Sequence, residues 1–170
     1  MAGCKHNDGM QDELVRALRA RRVEIHSRWA TLLRMEKANT PLANPDALVF
    51  MIDWTLDECF SSLGPLQSGR RQRWLGECLP KPECPCGRNP LLTYFAAGEQ
   101  AIEEALILEQ ARLSGALDPL TRDVAFSELK VTFREIARRE IESFCAVCQF
   151  RDGARHAAMM EAAGAPAAGG

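Results

Sequence analysis

Apolar residues recur every three or four positions over four long stretches of the chain, with charged residues on the remaining faces. This spacing is typical of amphipathic helices, in which one stripe of side chains faces a core. A β-fold is disfavoured because the sequence contains one Tyr and little alternation of β-branched residues. We therefore predict an all-α protein with helices over Met10–Lys37, Pro45–Leu63, Pro90–Leu113 and Pro119–Cys148.

Three of these helices carry the same signal at their start. Asn44-Pro45, Asn89-Pro90 and Asp118-Pro119 each place a capping side chain directly before a proline. The side-chain oxygen of Asn or Asp can accept a hydrogen bond from the first turn, and proline suits the first helical position. These dipeptides therefore predict where the second, third and fourth helices begin.

The connections between the helices predict an antiparallel four-helix bundle. Residues 38–44 and 114–118 are short connections, which usually join antiparallel neighbours. Residues 66–89 form a Pro- and Cys-rich connection between the second and third helices, and the Ala/Gly-rich residues 153–170 predict a disordered tail. We expect one domain over residues 1–152, with the four helices alternating in direction.

Composition narrows the range of functions. The chain has 170 residues and a formal net charge of -2, which argues against a general polyanion binder. The basic stretches of the first and fourth helices are expected to be solvated faces, paired with glutamates of their own helix rather than with nucleic acid. There is no apolar leader and no apolar run long enough for a membrane span, so a cytoplasmic location is expected.

Seven cysteines are unusual for such a protein, because structural disulfides are rare in the cytoplasm. Five of them form two groups, one in the Pro-rich connection and one at the end of the fourth helix. If the helices alternate in direction, that connection and the end of the fourth helix share one end of the bundle. We therefore predict a single cluster formed by Cys78, Cys84, Cys86, Cys145 and Cys148.

A cluster of thiolates suits a tetrahedral zinc site or an iron–sulfur cluster. Zinc is the predicted metal, held by Cys84, Cys86, Cys145 and Cys148, with Cys78 competing as a ligand. One residue separates Cys84 from Cys86, whereas a zinc knuckle usually has two, and this departure leaves iron–sulfur ligation open. Cys59 lies on the apolar stripe of the second helix and is expected in the core.

Catalytic signatures are missing from the sequence. Di-iron bundles need Glu-x-x-His pairs, but none of the helical glutamates has a histidine three positions on. There is also no phosphate-binding glycine loop and no nucleophile elbow. His26, the one histidine within a predicted helix, is expected at the boundary of the core beside a polar neighbour. The prediction is a regulatory or interaction module that binds a protein partner, without catalytic residues.

The segment from Arg21 to Trp29, Arg-Arg-Val-Glu-Ile-His-Ser-Arg-Trp, is followed by Leu42-Ala43-Asn44-Pro45 and an apolar helix. This pattern resembles the helical N-terminal sensor domains of RsbR-type stressosome regulators and of some histidine kinases, over about residues 14–63. The resemblance implies a globin-like or bundle-like module that senses a signal and performs no chemistry. The cysteines are not part of the pattern, and the resemblance implies no catalytic residue.

Overall fold

The computed structural model describes residues 6–35, 44–63, 81–84, 87–113 and 118–147, with side chains described from Glu13 onward. This part of the chain is helical and contains no strand, which confirms the all-α prediction. The helices are α1 (His6–Ala20), α2 (Arg22–Met35), α3 (Pro45–Val49), α4 (Ile52–Ser62), α5 (Pro90–Arg112) and α6 (Pro119–Val147).

The predicted helix starts are confirmed at all three Asx-Pro dipeptides. Oδ1 of Asn44 accepts a hydrogen bond from the Asp46 N–H at 3.0 Å, and Oδ1 of Asn89 accepts one from Leu91 at 2.9 Å. Oδ1 of Asp118 accepts from the Thr121 N–H at 3.0 Å. Each cap satisfies a backbone donor that has no partner within the helix, so these local signals determine where the chain becomes helical.

Two of the predicted helices are each interrupted once. The first predicted helix divides into α1 and α2 at Arg21, although the Arg21 N–H still bonds to the carbonyls of Ala17 and Leu18. The second divides into α3 and α4, where the Met51 N–H bonds to Leu48, three residues back instead of four. Because both breaks keep the hydrogen-bonded ladder, the apolar stripe continues across them.

The helix directions differ from the expected alternation. α2 is antiparallel to α3 and α4, since Arg22 contacts Asp53 whereas Arg34 lies 3.5 Å from Asp46. α2 is also antiparallel to α5, because Arg21, directly before α2, contacts Glu109, whereas Trp29 contacts Tyr94. α4 and α5 therefore run in the same direction, and the predicted up-down-up-down order is wrong.

The physical reason lies in the length of the connection between α4 and α5. Short connections favour antiparallel neighbours, but a long one can return along the bundle before the next helix begins. α6 then runs antiparallel to α5, since Gln110 donates to the Arg122 carbonyl at 3.0 Å and Asn89 donates to the Ile141 carbonyl at 3.3 Å. The end of α6 therefore lies beside the start of α5.

Trp29 is the point at which several helices meet in the core. Its ring is fully buried, and its Nε1 donates a hydrogen bond to the Tyr94 carbonyl at 3.0 Å. The ring centroid lies 4.7 Å from that of Tyr94 and 5.7 Å from that of Phe133. The Tyr94 hydroxyl lies 2.7 Å from Oγ1 of Thr55, so α2, α4, α5 and α6 are joined at one level.

Several arginines of α2 and α6, including Arg28 and Arg134, pair with a neighbouring helix instead of with glutamates of their own helix as predicted. Nη2 of Arg134 lies 2.7 Å from Oε1 of Glu99, and both side chains are largely buried between α5 and α6. Nε of Arg28 bonds to Glu104 of α5 at 2.7 Å, which lowers the pKa of Glu104 to about 2. Arg138 does pair within its own helix. Arg28 and Arg134 connect neighbouring helices, and the charge pattern of one helix alone does not predict such contacts.

Gly98 provides the first test of this packing. A Cβ built on Gly98 would lie 2.6 Å from Cε2 and Cη2 of the Trp29 ring, which is too close for a side chain. We expect Gly98→Ala to lower the free energy of unfolding by roughly 1–3 kcal/mol, the usual cost of overpacking, as measured by urea denaturation. Helix propensity alone would instead stabilise the variant by about 1 kcal/mol, and that result would contradict the packing. Ala96 lies on the exposed face of α5, so Ala96→Gly measures the effect of helix propensity on the free energy of unfolding without a change in the core.

Candidate metal centre

Two cysteines from distant parts of the sequence meet where α5 begins and α6 ends. Cys84 lies in the segment that leads into α5, and Cys145 lies in the last turn of α6. Their Sγ atoms are 2.6 Å apart, and both side chains are half-buried against the edge of the core. This is the convergence that the sequence predicts between the Pro-rich connection and the fourth helix.

A turn shapes the chain on the α5 side of this contact. The carbonyl of Cys84 accepts a hydrogen bond from the Gly87 N–H at 3.0 Å. Gly87 has a φ of 62°, a left-handed conformation that glycine adopts at little cost. This hydrogen bond holds Cys84 close to the start of α5. The glycine of the Cys-Pro-Cys-Gly segment supplies the left-handed backbone conformation.

Asn89 joins the helix start to the sulfur of Cys145. It is 2% exposed, and its Oδ1 caps α5 through the Leu91 N–H. Its Nδ2 lies 3.4 Å from Cys145 Sγ and 3.3 Å from the Ile141 carbonyl, both on α6. One side chain therefore bonds to the start of one helix, the end of another and a candidate ligand sulfur.

The predicted ligands fall into two groups with respect to the structure. Cys84 and Cys145 are brought together, whereas Cys78, Cys86 and Cys148 lie outside the described residues. Within the described ranges, no group of three or more His, Cys, Asp or Glu side chains is placed to hold a metal ion. The described part of the chain thus supplies two sulfurs of the predicted four-sulfur site.

Cys59 is separate from this pair, as predicted. Its side chain is fully buried in the core on α4, and burial raises the pKa of its thiol to about 12. A thiol in that environment is a small apolar side chain rather than a ligand or a nucleophile. His26 is also as expected, half-buried at the core boundary, with Nε2 3.9 Å from Oδ2 of Asp53.

The Cys84–Cys145 pair has donor atoms that suit a soft metal. Two sulfurs bound to one tetrahedral zinc ion at about 2.3 Å lie about 3.8 Å apart, so this pair would open by about 1 Å to hold zinc. Thiolates are preferred ligands of zinc and of iron–sulfur clusters, and a half-buried position limits competition from water. The Asn89 amide supplies an N–H donor to the Cys145 sulfur, and hydrogen bonds to metal ligands help to hold them in position. Zinc requires two further ligands to complete a tetrahedron.

Two polar features of the structure were missed by reasoning from sequence. The Asn89-Pro90 motif indicates a helix start, but its amide contact with Cys145 depends on the packing of α6. Glu109 is buried on α5 between Arg21 and Arg112, the latter at 2.8 Å, although an apolar stripe does not predict a buried glutamate. A buried carboxylate generally needs such partners, and both come from positions that look like ordinary surface arginines.

No protein-family model, curated protein or solved structure matches the chain. Among the described helices, none combines the length and apolar character needed to cross a membrane.

The two thiol environments predict different reactivity. We expect iodoacetamide to modify Cys84 and Cys145 in the reduced, metal-free native protein, while Cys59 stays unmodified until the protein is denatured. Burial and a pKa of about 12 both keep the Cys59 thiolate population very small at pH 7. Peptide mapping by mass spectrometry measures this, with the urea-denatured protein as the control. Native modification of Cys59 at the rate of Cys84 would contradict the described core.

Proposed function

We propose that this protein is a metal-binding helical module with a structural zinc site at one end of a four-helix bundle. It acts in the cytoplasm as a regulatory or interaction module, through a protein partner. The proposed ligands are Cys84, Cys86, Cys145 and Cys148, and Cys78 competes for one position. The zinc ion connects the segment before α5 with the end of α6.

The contact between Cys84 and Cys145 carries this proposal. The two residues are 61 positions apart in sequence, and their sulfurs meet at 2.6 Å. Cys86 and Cys148 are each close in sequence to one member of the pair, so a metal bound there has two further thiols within short reach. Cys148 follows Cys145 by three residues, a spacing that places two side chains on the same face of a helix.

An iron–sulfur cluster that acts as a redox sensor is the alternative function for the same cysteines. The single residue between Cys84 and Cys86 leaves this alternative open, because zinc knuckles usually have two. The amide of Asn89 beside Cys145 also suits it, since hydrogen bonds to sulfur adjust the potential of such clusters. Zinc remains the primary proposal because it gives a closed structural site that needs no cluster-assembly chemistry.

The sensory part of the proposal rests on the resemblance of residues 14–63 to RsbR-type sensor domains. Trp29, which ends the Arg21–Trp29 segment of the pattern, is the central core residue, and Arg21 and Arg22 anchor α2 to α5 and α4. These three residues of the pattern therefore have packing roles in this protein. A module of this kind passes a signal to a partner by a change of shape or of stability.

The zinc proposal predicts one zinc per chain and a dependence of stability on it. Ligand binding at a hundred times the dissociation constant adds about 2.7 kcal/mol to stability. Chelation is therefore expected to lower the melting temperature by roughly 5–10 °C. Cys145→Ser should abolish stoichiometric zinc and melt like the chelated protein, as measured by elemental analysis and calorimetry.

Cys59→Ala is the matched control for that experiment. It removes a buried sulfur from the core, so we expect a loss of about 1–2 kcal/mol with zinc stoichiometry unchanged. The proposal of a structural zinc site is wrong if chelation leaves the melting curve unmoved.

The iron–sulfur alternative predicts colour. Protein purified without oxygen should then be brown, with iron and acid-labile sulfide present together and a visible absorption band that bleaches in air. A colourless protein that contains zinc and no sulfide supports the primary proposal. Colourless protein with neither metal, and with Cys84 and Cys145 joined as a disulfide, would contradict both.

A further inference from the structure

Asn44 and Asn89 are two copies of the same local motif in different surroundings. Each precedes a proline, and each accepts a hydrogen bond at Oδ1 from the backbone N–H two residues on. Asn44 is exposed, whereas Asn89 is buried at the junction of α5 and α6. What distinguishes Asn89 is therefore the environment of its Nδ2 group.

The cap determines the orientation of the Asn89 amide. The Leu91 N–H is a donor, so it requires the oxygen of the amide, and the NH₂ group must point the other way. That group carries two hydrogens, and it has two acceptors on α6, the Ile141 carbonyl at 3.3 Å and Cys145 Sγ at 3.4 Å. Every hydrogen-bonding group used by this buried side chain thus has a partner.

We infer that Asn89 is the positioning residue of the metal centre, which holds the sulfur of Cys145 toward Cys84. The inference rests on the proposed function for the identity of the metal, but the geometry of the sulfur pair stands without it. Because Oδ1 is anchored to α5 and Nδ2 to α6, the amide couples the position of Cys145 to the helix start that follows Cys84. Partners of this kind orient metal ligands, and their loss typically weakens metal binding about 10–100-fold.

Asn89→Ser and Asn89→Asp test this role. Ser and Asp both cap helices well, so both retain an acceptor for the Leu91 N–H and both lose the NH₂ donor. The identical changes at Asn44 are the matched controls, because they alter the same kind of cap away from the cysteines. Circular dichroism and thermal melting of all four variants establish that the fold is retained.

The first readout is the zinc dissociation constant, measured by competition with a chromogenic chelator. We expect about 10–100-fold weaker binding in both Asn89 variants and no change in the Asn44 variants. The second readout uses metal-free protein in a glutathione buffer, in which oxidised glutathione takes two electrons as the two thiols form a disulfide. The equilibrium constant for the Cys84–Cys145 disulfide, mapped by mass spectrometry, should fall by up to about fivefold, the most that one neutral hydrogen bond can supply. The reason is that the dithiol of the variant no longer holds Cys145 in position beside Cys84.

The outcomes separate this inference from the proposed function. If the wild-type protein binds no zinc, the metal proposal fails, and the disulfide equilibrium alone decides whether Asn89 positions Cys145. A normal zinc affinity and a normal disulfide equilibrium in both Asn89 variants would overturn the inference. Loss in Asn89→Asp with full retention in Asn89→Ser would overturn it as well, because added charge rather than the missing donor would then be the cause.

Discussion

The antiparallel packing of α5 against α6 is the constraint on which the cysteine end of this protein depends. Arg134 holds Glu99 through two of its nitrogens, at 3.0 and 2.7 Å, and Lys130 lies 3.0 Å from Glu103 one turn further along. These ion pairs determine the register of α6 against α5. A slip of one helical turn would move Cys145 by about 5.4 Å, and the sulfurs would then no longer meet.

Charged residues of this bundle help to determine how its helices pack, which residues on a solvent-exposed face would not do. Buried or half-buried ion pairs add little net stability by themselves, but they cost much when mismatched. Arg21 and Arg112 pair with the buried Glu109 at one end of α5, and Arg134 pairs with Glu99 near its middle. We interpret these pairs as devices that select one register of α2, α5 and α6 among several that would bury similar apolar area.

Local features of the fold could be read from the sequence, and non-local ones could be read only in part. The Asn44, Asn89 and Asp118 caps act within one turn, so their chemistry alone identified three helix starts. The relative direction of α4 and α5 depends on the long connection between them, and sequence patterns contain little information about the path of such a segment. The sequence around Arg21 contains no proline or glycine that would predict the interruption of the helix there.

The same distinction explains the outcome for the candidate site. Cys84 and Cys145 meet because α6 returns to the start of α5, and the short connection between those helices made that pairing predictable. The expected alternation of all four helices was not needed for this result. The contact of Asn89 with sulfur could not be foreseen, because a capping motif does not reveal what lies beyond its amide. Cys78, Cys86 and Cys148 remain predicted ligands.

X-ray absorption spectroscopy at the zinc edge, on protein purified with its bound metal, shows directly whether cysteines hold a zinc ion. We expect four sulfur atoms bound to zinc at about 2.3 Å in the wild-type protein, and no stoichiometric zinc signal in Cys145→Ser. Ligation by nitrogen or oxygen in an otherwise native protein, or a purified protein that retains no metal and has its Cys84 and Cys145 sulfurs in a disulfide, would contradict this account.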